Sequence, residues 1–227
     1  FYPSSSDDGF AVIDYRMVDH HLGSWADVLA LESRYDLMFD LVINHCSREN
    51  LWFADFVSGR EPGRNYFITL LEESDTSNVV RPRTTPLISE VHTYAGIRHV
   101  WNTFSEDQVD LDFSNPDVLR EFVDTLFFYV AQGARMIRLD AIAFLWKRLG
   151  TCCMSLPETH TVVKILRLLI DYAGLETQLV TETNVPHEEN VSYFGAGDEA
   201  HIVYQFSLAP LLLYSYAFGD ASYLTTW

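Results

Sequence analysis

The sequence is poor in cations, cysteine and long apolar runs. It holds 15 Lys and Arg against 32 Asp and Glu, a formal net charge of -17. Such a charge repels nucleic acid and anionic membrane, which excludes both as partners; a phosphorylated ligand binds only where local arginines outweigh the field. No apolar run approaches the ~20 residues needed to span a bilayer. Phe1 opens directly onto the polar turn Ser4-Ser5-Ser6-Asp7-Asp8-Gly9, so no signal peptide is expected. The three cysteines, Cys46, Cys152 and Cys153, give an odd count without disulfide-framework spacing. A zinc set of His45, Cys46, Cys152 and Cys153 would need adjacent ligands in one tetrahedral site, a poor fit. Reduced cysteines in a cytosolic protein are the expectation. A glycine-rich turn following a strand is also missing, which argues against a doubly wound nucleotide fold.

Hydrophobic residues make up 48% and aromatics 14% of the 227 positions, enough for a packed core in one domain or two. Ser24 is placed to cap an amphipathic helix running to about Arg34. Leu37 to Ile43 reads as a strand buried on both faces that ends at Asn44-His45. From about Glu49 to Thr103 the pattern is irregular, too long for a plain connection, and is read as an inserted subdomain. Ser114-Asn115-Pro116 starts a helix that runs to Gln132 and stops at Gly133. Ala134 to Leu139 is the next strand and delivers Asp140. A helix from Pro157 to about Ala173 precedes the strand Gln178 to Thr181, which delivers Glu182. A last strand, His201 to Phe206, leads to an apolar helix around Pro210 to Tyr216.

Strands alternating with helices of a dozen residues imply a parallel sheet, either doubly wound or closed into a barrel. Three strands end in polar, reactive residues: Asn44-His45, Asp140 and Glu182. Barrel enzymes build their sites at the C-terminal ends of several strands, so the barrel is favoured. Only four strands are convincing where a barrel needs eight. The expectation is an incomplete (β/α)8 barrel, about strands 3 to 6, from the middle of a larger enzyme. Residues 1–48 would run from the end of strand 2 to strand 3. Residues 49–107 would be the inserted subdomain, and 108–227 would carry strands 4 to 6.

The strand-end motifs resemble a known family. Asp40-Leu-Val-Ile-Asn44-His45, Gly133-Ala-Arg-Met-Ile-Arg138-Leu-Asp140 and Glu182-Thr-Asn184 look like the first three signature regions of glycoside hydrolase family 13, the α-amylase clan. The insertion after the first region sits where that family carries its B domain, and Gln108-Val-Asp110-Leu-Asp112 resembles a further signature near that domain's end. Within the clan, Ser6-Asp7-Asp8-Gly9-Phe10, Asp14-Tyr15, Leu22-Gly23-Ser24-Trp25, Arg81-Pro82-Arg83, Val100 to Phe104 and Tyr204 to Pro210 are similar to sucrose phosphorylases. Glu182-Thr-Asn-Val-Pro-His187 is closer to the branch with glucosylglycerate and sucrose 6'-phosphate phosphorylases.

The resemblance implies a retaining transfer, in which two carboxyl groups lie about 5–5.5 Å apart across the sugar. Asp140 would be the nucleophile and Glu182 the acid/base. Arg138, on the same strand face as Asp140, would keep it ionised and aimed, since a nearby cation lowers a carboxylate pKa. His45 would bond glucose hydroxyls. Asp7 would hold the far side of the sugar with Phe10 against its apolar face, and Asp8 is the rival if the register shifts by one. Phe104 and Gln108 match positions lining the sugar site. Arg83 matches a phosphate-binding arginine, with surface charge as its plain alternative, and His187 is a second candidate for phosphate or acceptor.

The implied reaction is phosphorolysis of sucrose or a related α-glucoside to α-glucose 1-phosphate. Its partners are small molecules, the glucoside and inorganic phosphate. The alternatives are hydrolysis or transglucosylation on the same scaffold, or a fragment without catalysis. No metal or cofactor is implied: Asn44 ligates calcium in some amylases but is expected to be structural here. The family's third catalytic carboxylate is expected beyond Trp227, so the 227-residue piece alone is expected to be inactive. Asp40, His160, His201, Phe127, Phe128 and Tyr129 read as structural or packing residues.

Overall fold

The computed structural model describes residues 1–227. The first helix, α1 (Trp25–Glu32), starts at a capping box in which Ser24 and Asp27 satisfy each other's exposed amide groups. Strand β1 (Leu37–Val42) follows, and then the short strand β2 (His45–Ser47). Helix α2 (Leu51–Ser58) is capped by the Asn50 side chain and ends on left-handed Gly59. Strands β3 (Thr69–Leu70), β4 (Ile88–Thr93) and β5 (Gly96–Trp101) form a separate antiparallel sheet in the order β3-β5-β4. Strand β6 (Gln108–Asp110) returns to pair antiparallel with β2, so His45 lies opposite Asp110.

Helix α3 (Pro116–Ala131) starts with Asn115 as cap and proline in its first turn. It buries Val118, Phe122, Leu126 and Tyr129, a stripe at helical spacing. Strand β7 (Ala134–Asp140) pairs parallel with β1 in a register that sets Val42 against Asp140. Helix α4 (Pro157–Tyr172) turns Val162, Val163, Leu166 and Ile170 inward. Strand β8 (Gln178–Thr181) pairs with β7, and the short helix α5 (His187–Ser192) follows. The chain then forms strand β9 (Ile202–Val203), helix α6 (Leu208–Phe218) and helix α7 (Ser222–Thr226).

The main sheet runs β1-β7-β8-β9, all parallel and in chain order, with no reversal. A doubly wound sheet reverses order at its switch point, whereas a barrel wall does not. The four strands therefore form an arc of wall with helices outside. One apolar core joins Phe39, Leu41, Ile137, Leu139 and Leu179 of the sheet to Phe122, Leu126, Val163 and Leu166 of the helices.

Two expectations are corrected and one element is added. The stretch 49–103 is not irregular: it holds α2 and the three-stranded sheet. The strand expected over residues 201–206 shrinks to Ile202–Val203, because the chain leaves the sheet once Tyr204 N has bonded Thr181 O. Helix α5, around His187, had no sequence counterpart. No helix is long and apolar enough to cross a membrane.

Candidate active site

The polar strand ends converge because parallel neighbours in register deliver their C-termini to one level. β1 delivers Asp40 inside the strand and Asn44-His45 just past its end; β7 delivers Arg138 and Asp140; β8 delivers Glu182. They open on a cavity of about 520 Å³. Nine of the ten residues expected at the site line it: Asp7, Phe10, His45, Arg83, Phe104, Gln108, Arg138, Asp140 and Glu182. His187 does not. Its ring lies 6.2 Å from that of Trp227 at the start of α5. Asp8, the alternative to Asp7, also lies outside the lining.

One guanidinium gathers the carboxylates. Arg138 Nη1 donates to Asp140 Oδ1 at 2.8 Å and to Asp40 Oδ1, while its Nη2 lies 3.9 Å from Glu182 Oε1. Burial works against the Arg138 charge, but Asp140 and Asp40 outweigh it and hold its pKa above the ordinary value. The guanidinium carbon also stands 5.6 Å from the Phe10 ring centre and 5.2 Å from that of Tyr204. Arg138 thus has two aromatic neighbours as well as its carboxylate partners.

Asp140 accepts from Arg138 but is not kept fully ionised by it. Burial pushes its pKa up to about 7; Arg138 pulls it down and the Glu182 charge pushes it further up. A carboxyl group removed from water beside a second carboxylate resists ionising, and one shared cation does not cancel both effects.

Glu182 is fixed from the other side. Its Oε2 accepts the Ala141 amide hydrogen at 2.9 Å. That amide is presented because Ala141 adopts φ 51°, a left-handed conformation that a residue with a Cβ rarely takes. Asp7 and Asp8 share this feature, with φ 55° and 52°. Strain held at both rims of one cavity is typical of functional sites.

His45 is 1% exposed. Its Nε2 lies 2.9 Å from Phe10 O, and Gln108 Nε2 donates to Asp7 Oδ2 at 2.9 Å. Burial pushes the imidazole below its ordinary pKa, against the pull of Asp110, so the ring is neutral at physiological pH. Phe104 packs on His45 with ring centres 5.1 Å apart, and Phe144 meets Phe104 edge-on at 5.6 Å. The segment carrying Asp7 is anchored by Asp107, whose carboxylate accepts from the hydroxyls of Ser5, Ser6 and Ser47.

Several lining residues had no role in the sequence reading: Val80, Phe144, Met154, Asn184 and Phe206. Asn184 and Phe206 lie inside the quoted motifs and were within reach. Phe144 and Met154 sit on the loop after β7, where no periodic pattern marks them. The zinc set does not assemble. The grouping able to hold a metal is Asp19, His20 and His21, while Cys46 is part of the apolar core and Cys152 and Cys153 are free.

With two carboxyl groups at one cation, a neutral imidazole and a second arginine in its lining, the cavity is equipped to bind a polyhydroxylated ligand and exchange a proton with it. Known proteins bear on this geometry. The family described as "Alpha amylase, catalytic domain" matches residues 1–224. A glucosylglycerate phosphorylase from Spirochaeta thermophila is 51% identical over all of this chain, which covers 39% of that protein. A sucrose phosphorylase from Streptococcus mutans is 32% identical over all of this chain and 49% of its own length. The crystal structure of sucrose 6F-phosphate phosphorylase from Thermoanaerobacter thermosaccharolyticum superposes on the whole chain with TM-score 0.86 and 26% identity, covering 48% of that structure. The chain therefore spans less than half the length of each of these relatives.

Proposed function

This chain belongs to the alpha-amylase family, matched across residues 1–224, and on that premise we propose that it carries the donor site of a retaining α-glucosyl phosphorylase. Asp140 attacks the anomeric carbon. The bond to the leaving oxygen breaks as that oxygen takes a proton from Glu182. A phosphate oxygen then attacks the glucosyl-enzyme, Glu182 recovers a proton from it, and Asp140 is released as α-glucose 1-phosphate forms. The observation carrying this reading is the placement of Asp140 and Glu182 on one guanidinium at a cavity that also holds a second arginine. His45, Asp7 and Gln108 bind the glucose hydroxyls, Phe10 and Phe104 its apolar faces, and Arg138 orients the nucleophile. Arg83 supplies the cationic donors that phosphate requires in an acidic protein, and His187, outside the cavity lining, is left as the weaker candidate for phosphate or acceptor.

The donor favoured is glucosylglycerate over sucrose. The glucosylglycerate phosphorylase is identical to this chain at 51% of the aligned positions, against 32% for the sucrose phosphorylase. An acidic acceptor also suits Arg83. We read residues 49–107 as an inserted B-type subdomain between barrel segments 1–48 and 108–227; the β2–β6 pairing at its neck supports this division.

The test uses a full-length protein containing this chain. Phosphate-dependent release of α-glucose 1-phosphate is expected with glucosylglycerate and at least tenfold less with sucrose. Sugar release that ignores phosphate would instead indicate a hydrolase. Asp140→Asn is expected to lower kcat by about 10⁴-fold or more with the fold intact, as for other groups whose loss stops covalent catalysis. Near-parental turnover in that variant would sink the assignment.

A further inference from the structure

Arg83 sits on a loop that regular structure does not hold. Residues 81–86 are all exposed, belong to no helix or strand, and make no backbone–backbone hydrogen bond. Such bonds resume only at the two flanking residues. Val80 N donates to Cys152 O at 3.0 Å, and Leu87 O accepts from Asn102 N at 2.7 Å. Both anchors are fixed. Leu87 packs with Trp101 and Cys153 in a small buried cluster. The loop after β7 that carries Cys152 is pinned by Lys147, whose Nζ meets Asp110 Oδ2 and Asn44 Oδ1, each at 2.6 Å. Six exposed residues strung between fixed ends, with nothing else to hold them, would sample many conformations and carry their cation along.

What holds the loop runs through one residue. Residues 81–86 make two hydrogen bonds, and Thr85 takes part in both. The Arg81 guanidinium donates to Thr85 O, which closes the loop on itself. Thr85 Oγ1 then donates to Phe104 O at 2.6 Å, which ties the closed loop to the body of the protein. Phe104 is the residue whose ring packs on His45 in the cavity. The two arginines of the loop are thereby told apart. Arg81 is occupied by the Thr85 carbonyl and does not line the cavity, whereas Arg83 lines it with its guanidinium unbonded.

We propose that Thr85 is a positioning residue that locks the 81–86 loop to the backbone of Phe104 and so holds Arg83 at the cavity to bind phosphate. The lock works by preorganisation: a guanidinium already in place loses less freedom when the anion arrives. Because the accepting carbonyl belongs to a residue of the sugar subsite, the anion site is set in register with the bound sugar. The inference rests on the donor-site reading for what the phosphate does, but not for where Arg83 is held.

The experiment titrates inorganic phosphate into full-length protein containing this chain, without sugar, and follows binding by ³¹P line broadening. The parent is expected to bind phosphate, and Arg83→Gln to lose that binding. Thr85→Val keeps the shape of the side chain but removes its donor, and is expected to raise the phosphate Kd about fivefold, the worth of one hydrogen bond. Thr85→Ser keeps the hydroxyl and is expected to restore the parental Kd. During turnover of glucosylglycerate, Thr85→Val is expected to raise the KM for phosphate by the same factor. At low phosphate, its ratio of phosphorolysis to hydrolysis should then fall about fivefold. A general structural fault would lower both reactions together and leave that ratio at the parental value, which overturns the proposal. So does a parental phosphate Kd in Thr85→Val, a Thr85→Ser protein that binds no better than Thr85→Val, or a parent without Arg83-dependent phosphate binding. The titration needs no donor: phosphate binding that follows Thr85 in a protein without phosphorolysis would refute the reaction and leave the positioning role standing.

Discussion

Arg138 serves Asp40, Asp140 and Glu182 at once, and that sharing sets the acid–base behaviour of the site. With Asp140 raised to about 7, only about half of free sites hold its carboxylate ionised at neutral pH. The acid limb of kcat/KM is therefore expected near pH 7, rising with pH, and a profile flat from pH 5 to 8 would contradict it. The same shift has a stability consequence. The folded pKa lies above the unfolded carboxylate value of about 4. The stabilisation it gives is thus complete below about pH 4 and is lost as pH rises through about 7. Asp140→Asn, which cannot ionise, is expected to raise the melting temperature at pH 8 and to leave it nearly unchanged at pH 4. Paired melting curves at the two values check the sign.

At the scale of elements, close approach matters most where α2 passes the loop before β3. A Cβ on Gly63 would lie 2.1 Å from the Trp52 carbonyl oxygen, an atom of helix backbone that cannot rotate away. Gly63→Ala is expected to cost more than about 3 kcal/mol, at the upper end of single-residue effects, because the helix itself must shift. Chemical denaturation would measure it, and a loss below about 1 kcal/mol would show that the loop yields instead. The elements also divide by how legible they were in the sequence. β1, β7 and β8 were readable because a strand buried on both faces is a continuous apolar run, and each ends in a motif. α3 and α4 were readable from proline starts and inward stripes. The segment 49–103 was not. Its helix has eight residues, and β4 alternates too weakly, with only Val91 fully buried, for either period to emerge. For the site, nine expected residues share a cavity: His45, Gln108, Arg138, Asp140 and Glu182 lie in or beside strands, while Asp7, Phe10, Arg83 and Phe104 were found through loop motifs. Phe144 and Lys147 escaped because their placement depends on a loop whose path follows from tertiary contacts with Asn44 and Asp110.

At the scale of the molecule, two features oppose each other. The net charge of -17 keeps copies apart. Helix α6 presents Leu213, Tyr216 and Phe218 at 70%, 87% and 72% exposure, an apolar surface of the kind that drives association. The 227-residue chain on its own is expected to self-associate as salt screens the repulsion, within a range of about 0.05 to 0.5 M. Leu213→Asp with Tyr216→Asp is expected to keep it monomeric across that range. Light scattering decides, and association unaffected by the substitutions would place the contact elsewhere.

The polar ties around the cavity join residues far apart along the chain. Asp7 and Gln108 are separated by 101 positions, Asp40 and Arg138 by 98, and Asn44 and Lys147 by 103. Contacts of such separation close large loops, and closure of large loops comes late in folding. The α1, α3 and α4 helices and the β4–β5 hairpin can form from local contacts well before any of these ties exists. The cavity is then the last thing the chain makes. Occupation of the cavity by a probe ligand in a refolding experiment would appear only after helical signal has recovered, so a bound ligand acts as a clock stamp for completed assembly.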